Sequence, residues 1–230
     1  MILCLYALVS PPPAHLKLPG VAGERLEVIT VDRIGAVVGE LRRAPAPSVR
    51  NLRRYAAAVE AIAAKTSATL PARYATTVAD IDELTVVIRS RRAVLRHRLT
   101  TVRGRAQMTV RLLESESGDA AFPSQSTVTS RTRLRLGYGA TQGTQYLRQK
   151  VADAAAARAV PAFDRIRPAI RTYVKDERVE KRGGVVTINH LVPRGAAERY
   201  RDIVERAADE QALRLVVTGP WPPYAFADTW

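Results

Sequence analysis

Hydrophobic and polar residues follow patterns that divide the first part of the chain into short β-strands. The run Ile2–Val9 lacks polar alternation, which predicts a central strand covered on both faces. After a loop rich in proline and glycine, the apolar runs 26–31 and 34–38 flank Asp32 and Arg33. Two such runs around a two-residue connection predict a β-hairpin.

Two amphipathic helices are predicted next. Ser48 is a suitable N-cap for the first helix, because its hydroxyl can accept a hydrogen bond from a free backbone N–H. The apolar positions of this helix recur every three or four residues and are Val49, Leu52, Ala56, Val59 and Ile62. A short extended stretch at 70–78 separates it from a second helix, which Asp80 caps and which we expect to continue through Leu99.

The second half of the chain predicts the order strand, helix, strand, strand, helix, strand. The predicted strands are 107–113, 174–180, 185–192 and 213–219. A glycine turn at Gly183 and Gly184 joins the middle two strands, and Pro161 and Pro168 should kink or divide the first helix. Two split βαβ units of this kind predict a ferredoxin-like βαββαβ fold, in which 107–113 and 213–219 share one antiparallel sheet.

These patterns predict an α+β protein with two domains, 1–104 and 105–230, divided near Gly104. Between Glu114 and Thr132 the chain is rich in serine and threonine and has almost no apolar anchor beyond Phe122. Such a composition predicts a mobile surface loop over 115–132. The helical pattern that begins near Thr141 follows it.

The C-terminal tail, 219–230, combines prolines with large aromatic residues. Three prolines follow the last apolar run and should end the strand, since proline donates no backbone hydrogen bond. Trp221, Tyr224 and Phe226 then favour a structural strap with Trp221 substantially buried. The alternative is that the tail is an exposed aromatic ligand for a partner.

Positive charge is the strongest compositional feature, with 36 Lys and Arg against 22 Asp and Glu and a net charge of +14. An acidic partner is one explanation, and the arginine usage of a high-GC genome is another. The densest basic stretch, 89–111, contains eight arginines and no acidic residue. It is a solvated helix surface, a contact for an anionic protein, or a contact for RNA, although no aromatic residue for base stacking lies within it.

No pattern of catalytic, cofactor-binding or metal-binding residues is present in the sequence. His15, His97 and His190 lie far from one another, and none has metal-ligand spacing to another His or to Cys4. Glycine-rich phosphate loops and nucleophile-elbow motifs are absent. The longest strongly apolar run, 1–9, is shorter than the roughly 20 residues of a membrane helix. We therefore predict neither an enzyme nor a membrane span.

Five segments of the sequence, in this order, resemble landmarks of one known family. They are Leu3–Val9, Ile34–Val38, Leu70–Thr76, Gly143–Arg148 and the octapeptide Gly219–Phe226. The octapeptide resembles the C-terminal signature of the gas vesicle protein L/F (GvpL/GvpF) family. The resemblance implies an N-terminal α/β domain, a ferredoxin-like C-terminal domain and a non-enzymatic role in gas vesicle assembly. The high positive charge, the serine-rich segment and the helix prolines depart from a typical member.

Taken together, residues and resemblance predict a gas vesicle accessory or minor structural protein of the gas vesicle or cytoplasm. Its expected partners are the small hydrophobic shell protein and other gas vesicle accessory proteins. The expected contact residues are Arg89, Arg91, Arg92 and Arg96. The alternative is a basic ferredoxin-like module that binds RNA.

Overall fold

Two antiparallel β-sheets make up the framework of the computed structural model, which describes residues 1–113 and 159–227. The strands of the first sheet are β1 (Ile2–Val9), β2 (Leu26–Val31), β3 (Ile34–Leu41), β4 (Thr69–Pro71) and β5 (Thr77–Val78). Strand β1 pairs with β3 on one side and with β4 and β5 on the other, and β2 pairs with β3. The predicted central first strand and the hairpin that follows it are confirmed.

Three helices cover the two faces of this sheet: α1 (Val49–Lys65), α2 (Ile81–Ser90) and α3 (Arg92–Val102). Because successive side chains of a strand point to opposite faces, β1 contributes to two separate cores. Cys4 and Tyr6 pack with Val59 of α1, whereas Leu5 packs with Leu95 of α3. The result is a sheet with one helix on one face and two on the other.

The start of α1 agrees with the predicted cap, but its first turn is more exposed than the apolar spacing suggests. The Oγ of Ser48 accepts a hydrogen bond from the N–H of Asn51 at 3.1 Å. Val49 and Leu52, however, are 65% and 46% exposed. The buried face begins only at Tyr55, since the first turn extends past the edge of the core.

The expected continuous helix from Asp80 through Leu99 is instead two helices that meet at Arg91. The backbone of Arg91, at φ −111° and ψ 10°, ends α2 and precedes α3. Ile88 before the break and Leu95 after it are both fully buried in the same core. The apolar spacing is the same with or without the break, so periodicity alone did not reveal it.

The second sheet has four strands in the order β7, β8, β6, β9, all antiparallel. These strands are β6 (Arg105–Leu113), β7 (Asp176–Arg182), β8 (Val185–Pro193) and β9 (Leu215–Trp221). The prediction that the strands near 107–113 and 213–219 share one antiparallel sheet is confirmed. Gly183 and Gly184 form the hairpin turn with φ of 56° and 73°, a conformation that glycine adopts without steric cost.

One face of this sheet packs against α4 (Pro161–Asp164), α5 (Arg167–Ile170) and α6 (Ala197–Asp209). The predicted interruption at the prolines is confirmed, because α4 and α5 are separate short helices. Pro161 and Pro168 each occupy a first-turn position, where no intrahelical N–H is needed. The predicted helix start near Thr141 and the predicted loop at 115–132 lie outside the described residues.

The last strand differs from the prediction that it ends at Pro220. Pairing continues to Trp221, which lies opposite Gln107. Among the described strands, β9 is at the edge of the sheet and pairs with β6 alone, so the missing N–H of a proline is tolerated there. Gly219 has a φ of 116°, and a Cβ on it would lie 2.7 Å from the carbonyl oxygen of Gln107, so this position requires glycine.

Candidate interaction surfaces

The predicted contact arginines lie around the junction of α2 and α3, the two helices that cover one face of the first sheet. Arg89, Arg91, Arg92 and Arg96 are all exposed. The guanidinium groups of Arg89 and Arg92 lie 3.9 Å and 3.6 Å from the carboxylate of Asp32. Ion pairs this exposed contribute only about 0–1 kcal/mol each, so these arginines keep most of their capacity to bind another anion.

The position of Asp32 was not evident from the sequence, because it depends on the turn between β2 and β3. Asp32 and Arg33 have φ of 48° and 68°, the left-handed conformation of a two-residue hairpin turn. This turn brings Asp32 to the junction of α2 and α3. Two exposed valines, Val86 at 67% and Val94 at 49%, lie on the same two helices. The surface therefore combines arginine with apolar area.

The aromatic tail is anchored by Phe226 and not by Trp221. Phe226 is 3% exposed and packs in the core of the first sheet, where the Nη1 of Arg98 donates to its carbonyl oxygen at 3.3 Å. The N–H of Ala225 donates to the Oε1 of Gln107 at 2.8 Å. Trp221 is 42% exposed and Tyr224 is 39% exposed. The prediction that Trp221 is substantially buried is therefore wrong, since Trp221 is the last residue of an edge strand.

A polar network that the sequence did not predict lies in the core of the second sheet. His190, on β8, is 1% exposed. Its Nδ1 is hydrogen-bonded to the hydroxyl of Tyr200 on α6, and its Nε2 lies 2.7 Å from the Oε2 of Glu177 on β7. The Nε of Arg167 on α5 donates to the same carboxylate at 3.1 Å. Four elements are joined by these side chains.

One tautomer of a neutral His190 imidazole forms both hydrogen bonds of the ring. The Nε2–H of His190 then donates to Glu177, and its Nδ1 accepts from the hydroxyl of Tyr200. Burial, aided by the Glu177 charge, raises the pKa of Tyr200, so this hydroxyl keeps its proton. Because Tyr200 and His190 are buried, no substrate can reach the hydrogen bond between them. We interpret the network as a structural tie between the sheet and its helices.

The position of His190 within its strand was the one feature of the sequence that indicated this polar network. It lies on the same face of β8 as Val186, Ile188 and Val192, all of which pack against the helices. A polar residue at an inward position must find hydrogen-bond partners, and this rule points to a network without identifying its members.

The network should make folding stability depend on Glu177 at acidic pH. Burial alone acts to raise the pKa of Glu177, but the hydrogen bonds from His190 and Arg167, together with the positive charge of Arg167, outweigh it and lower this pKa below 4.5. A lowered folded-state pKa adds stability above the unfolded-state value, and this stability is lost as the pH falls through the folded-state pKa. Denaturation at pH 7, 5, 4 and 3 should show the advantage of the wild type over Glu177→Gln shrinking below pH 4.5.

Glu180 provides the matched control for this measurement, because it is an exposed carboxylate on the same strand. A Glu180→Gln variant should keep the pH dependence of the wild type. An advantage over Glu177→Gln that is equal at pH 7 and pH 3 would contradict the assigned role of Glu177.

The described part of the chain contains no constellation suited to catalysis. Cys4 is fully buried, and burial, with the Glu24 charge, raises the pKa of its thiol to about 12, so no reactive thiolate forms there. Within residues 1–113 and 159–227, no group of three or more His, Cys, Asp or Glu is arranged to hold a metal ion. Among these same residues, no helix has the length and apolar character needed to span a bilayer.

The comparisons of sequence and of structure match this chain to proteins of one family. Residues 3–228 match the family model described as gas vesicle synthesis protein GvpL/GvpF. The crystal structure of gas vesicle protein GvpF from Microcystis aeruginosa is similar with a TM-score of 0.71 at 15% identity, over 99% of each chain. That of GvpF from Anabaena sp. PCC7120 has a TM-score of 0.70 at 18% identity, over 99% of this chain and 98% of that one. No curated protein sequence matches the chain significantly.

Proposed function

The chain belongs to the gas vesicle synthesis protein GvpL/GvpF family, and from this membership we propose that it is a non-enzymatic accessory protein that binds the small hydrophobic shell protein during gas vesicle assembly. The observation that supports the proposal most directly is the family match over nearly the whole chain. It would act in the gas vesicle or in the cytoplasm. The comparisons give no support to the alternative of RNA binding.

The architecture proposed with this function is an N-terminal α/β domain, 1–104, and a ferredoxin-like C-terminal domain, 105–230. The order of the second sheet, with β6 between β8 and β9, supports the ferredoxin-like assignment. Gly104, at a φ of 67°, precedes β6 and supports the boundary.

We propose the junction of α2 and α3 as one surface that contacts the shell protein. A protein that accompanies a hydrophobic subunit needs exposed contact area more than it needs a pocket. Arginine suits this task, because its guanidinium group pairs with carboxylates and its aliphatic stem covers apolar surface. Arg89, Arg92 and Arg96 supply such groups, and Val86 and Val94 add apolar area beside them.

Charge reversal of Arg91, Arg92 and Arg96 to glutamate should weaken binding to purified shell protein. Exposed ion pairs contribute about 0–1 kcal/mol each, so we expect a loss of about tenfold in affinity for the triple variant. The remaining binding should depend less on salt, because fewer charges take part in it. A binding titration at several salt concentrations measures both effects, and circular dichroism checks the fold.

The matched control reverses Arg43, Arg50 and Arg53, which are exposed near α1 and make the same change in net charge. This control should bind with nearly wild-type affinity. An equal loss in both triple variants would mean that only the overall charge matters. Full binding by the first variant would remove the α2 and α3 junction from the interface, and no binding by the wild type would refute the proposed function.

A further inference from the structure

A groove lies on the surface where the C-terminal half of α1 approaches the end of β9. It encloses about 310 Å³. Its lining includes Glu60, Ala63, Ala64, Arg105, Arg194 and Trp221. It therefore joins elements of both sheets, and it is separate from the arginine surface at the junction of α2 and α3.

The charge of Arg194 in this groove has no opposite charge to balance it. Its Nη1 donates to the carbonyl oxygen of Thr66 at 2.9 Å, and its Nε donates to that of Arg105 at 3.3 Å. Both acceptors are neutral, and burial lowers the pKa of this guanidinium group. In the described part of the chain, no carboxylate lies within ion-pair distance of Arg194. A cation held partly out of water without a counter-charge favours the approach of an anion.

Arg105 adds a second cation, and its hydrogen-bond partner is also a neutral carbonyl oxygen. Its Nη1 donates to the carbonyl oxygen of Thr101 at 2.7 Å, and within the residues that the structure describes it forms no ion pair. Glu60 is the one acidic residue of the lining, and it lies on the α1 side without an ion pair to either arginine. A bound carboxylate is therefore attracted toward the two arginines and repelled from α1.

Trp221 supplies an apolar surface beside these charges. It is 42% exposed, yet its position is restrained by Pro220 and by the buried Pro222 on either side. The Nε1–H of its indole donates to the Oγ1 of Thr218 at 3.3 Å within the same strand, which leaves the ring available to a partner. Exposed, restrained tryptophan and arginine are the residue types that dominate binding energy at protein interfaces.

We propose that this groove binds a protein segment that presents a carboxylate next to an aliphatic side chain. The carboxylate pairs with Arg194 and Arg105, and the aliphatic side chain packs on Trp221 and on Ala63 of α1. The inference rests on the proposed function only in one respect, namely that the segment belongs to the gas vesicle shell protein.

The first test uses a Trp230→Phe variant, in which Trp221 is the only tryptophan. Its fluorescence is titrated with a capped tetrapeptide of alternating glutamate and leucine, and with the same peptide carrying glutamine in place of glutamate. We expect a saturable change with the acidic peptide and binding about tenfold weaker with the neutral one, because the neutral peptide cannot form charge-assisted hydrogen bonds with the two arginines. No saturable change, or equal binding of both peptides, would overturn the proposal.

Two substitutions in the same background locate the binding. Arg194→Gln and Arg105→Gln should each weaken the acidic peptide at least several-fold and leave the neutral peptide unchanged. Arg194 also donates a hydrogen bond to the carbonyl oxygen of Thr66, so Arg194→Gln could fail to fold. In that case, Arg105→Gln and the comparison of the acidic with the neutral peptide still test the proposal. Unchanged binding in a folded variant would place the peptide elsewhere and contradict the inference.

A parallel experiment with purified shell protein separates the two proposals. Trp221→Ala should lower its affinity about tenfold, with Val216→Ala, another exposed residue of β9, as the matched control. Acidic peptide binding without any binding of shell protein would refute the proposed function and leave the groove supported. Equal binding of shell protein by the wild type and by Trp221→Ala, without peptide binding, would refute the groove and leave the function supported.

Discussion

Replacement of Phe226 by alanine should lower the free energy of unfolding by about 3–5 kcal/mol, the usual cost of deleting a buried aromatic ring. Phe226 is 3% exposed and packs in the same core as Leu95 of α3 and Leu191 of β8. It is thus a contact between the first sheet's helices and a strand of the second sheet. The guanidinium group of Arg178, 6.0 Å from the ring centre, would lose its aromatic partner as well.

Trp221→Ala is the control for this prediction, because it removes a larger aromatic side chain from the same tail. Since Trp221 is 42% exposed, we expect a cost of only about 1–2 kcal/mol. Chemical denaturation followed by circular dichroism compares the two variants without depending on tryptophan fluorescence. A larger loss for Trp221→Ala than for Phe226→Ala would mean that the tail is anchored by Trp221 after all.

Replacement of His190 by alanine should cost about 2–4 kcal/mol. The substitution leaves a cavity beside Phe163 and removes a hydrogen-bond partner from the fully buried hydroxyl of Tyr200 and from Glu177. A buried polar group without a partner costs about 1–3 kcal/mol, and the cavity adds to this. Glu177 keeps its hydrogen bond from Arg167, so the loss of its bond to His190 contributes less to this cost than the loss at Tyr200.

Two further variants show whether the loss comes from the network. Tyr200→Phe keeps the ring and removes only the hydroxyl, and we expect a cost of about 1–3 kcal/mol. Combined with His190→Ala it should cost less than the sum of the two, because both substitutions remove the same bond. His97→Ala, at an exposed position on α3, should change stability by less than about 0.5 kcal/mol. Additive costs at His190 and Tyr200 would contradict a shared hydrogen bond.

Local features of the sequence were sufficient for most of the framework. Ile2–Val9 was predicted to be a central strand because it lacks polar residues, and β1 indeed has strands on both sides and helices over both faces. Ser48 was predicted to begin a helix, and its side chain caps α1. Gly183 and Gly184 were predicted to form a hairpin turn, and they do so with positive φ. Each of these features acts within a few residues of chain.

The candidate surfaces were predicted less completely, because they depend on residues far apart in the sequence. Trp221 and Phe226 are aromatic residues of one short tail, and only the neighbouring α3 and β8 determine that Phe226 is buried. The pairing of Arg92 with Asp32 requires the turn after β2 to reach the junction of α2 and α3. The helix break at Arg91 leaves the apolar spacing unchanged and so had no signal in the pattern.

Hydrophobic periodicity, caps and turn residues by themselves determined the order of most described strands and helices, since these are properties of short segments, but they did not separate α2 from α3. The sequence also determined the family through its ordered landmarks and its C-terminal octapeptide, and the match over residues 3–228 agrees. Only the tertiary structure decided which polar groups meet in the core, as in the pairing of His190 with Tyr200. It alone decided which aromatic side chain remains at the surface, because burial is set by the packing of distant elements against one another.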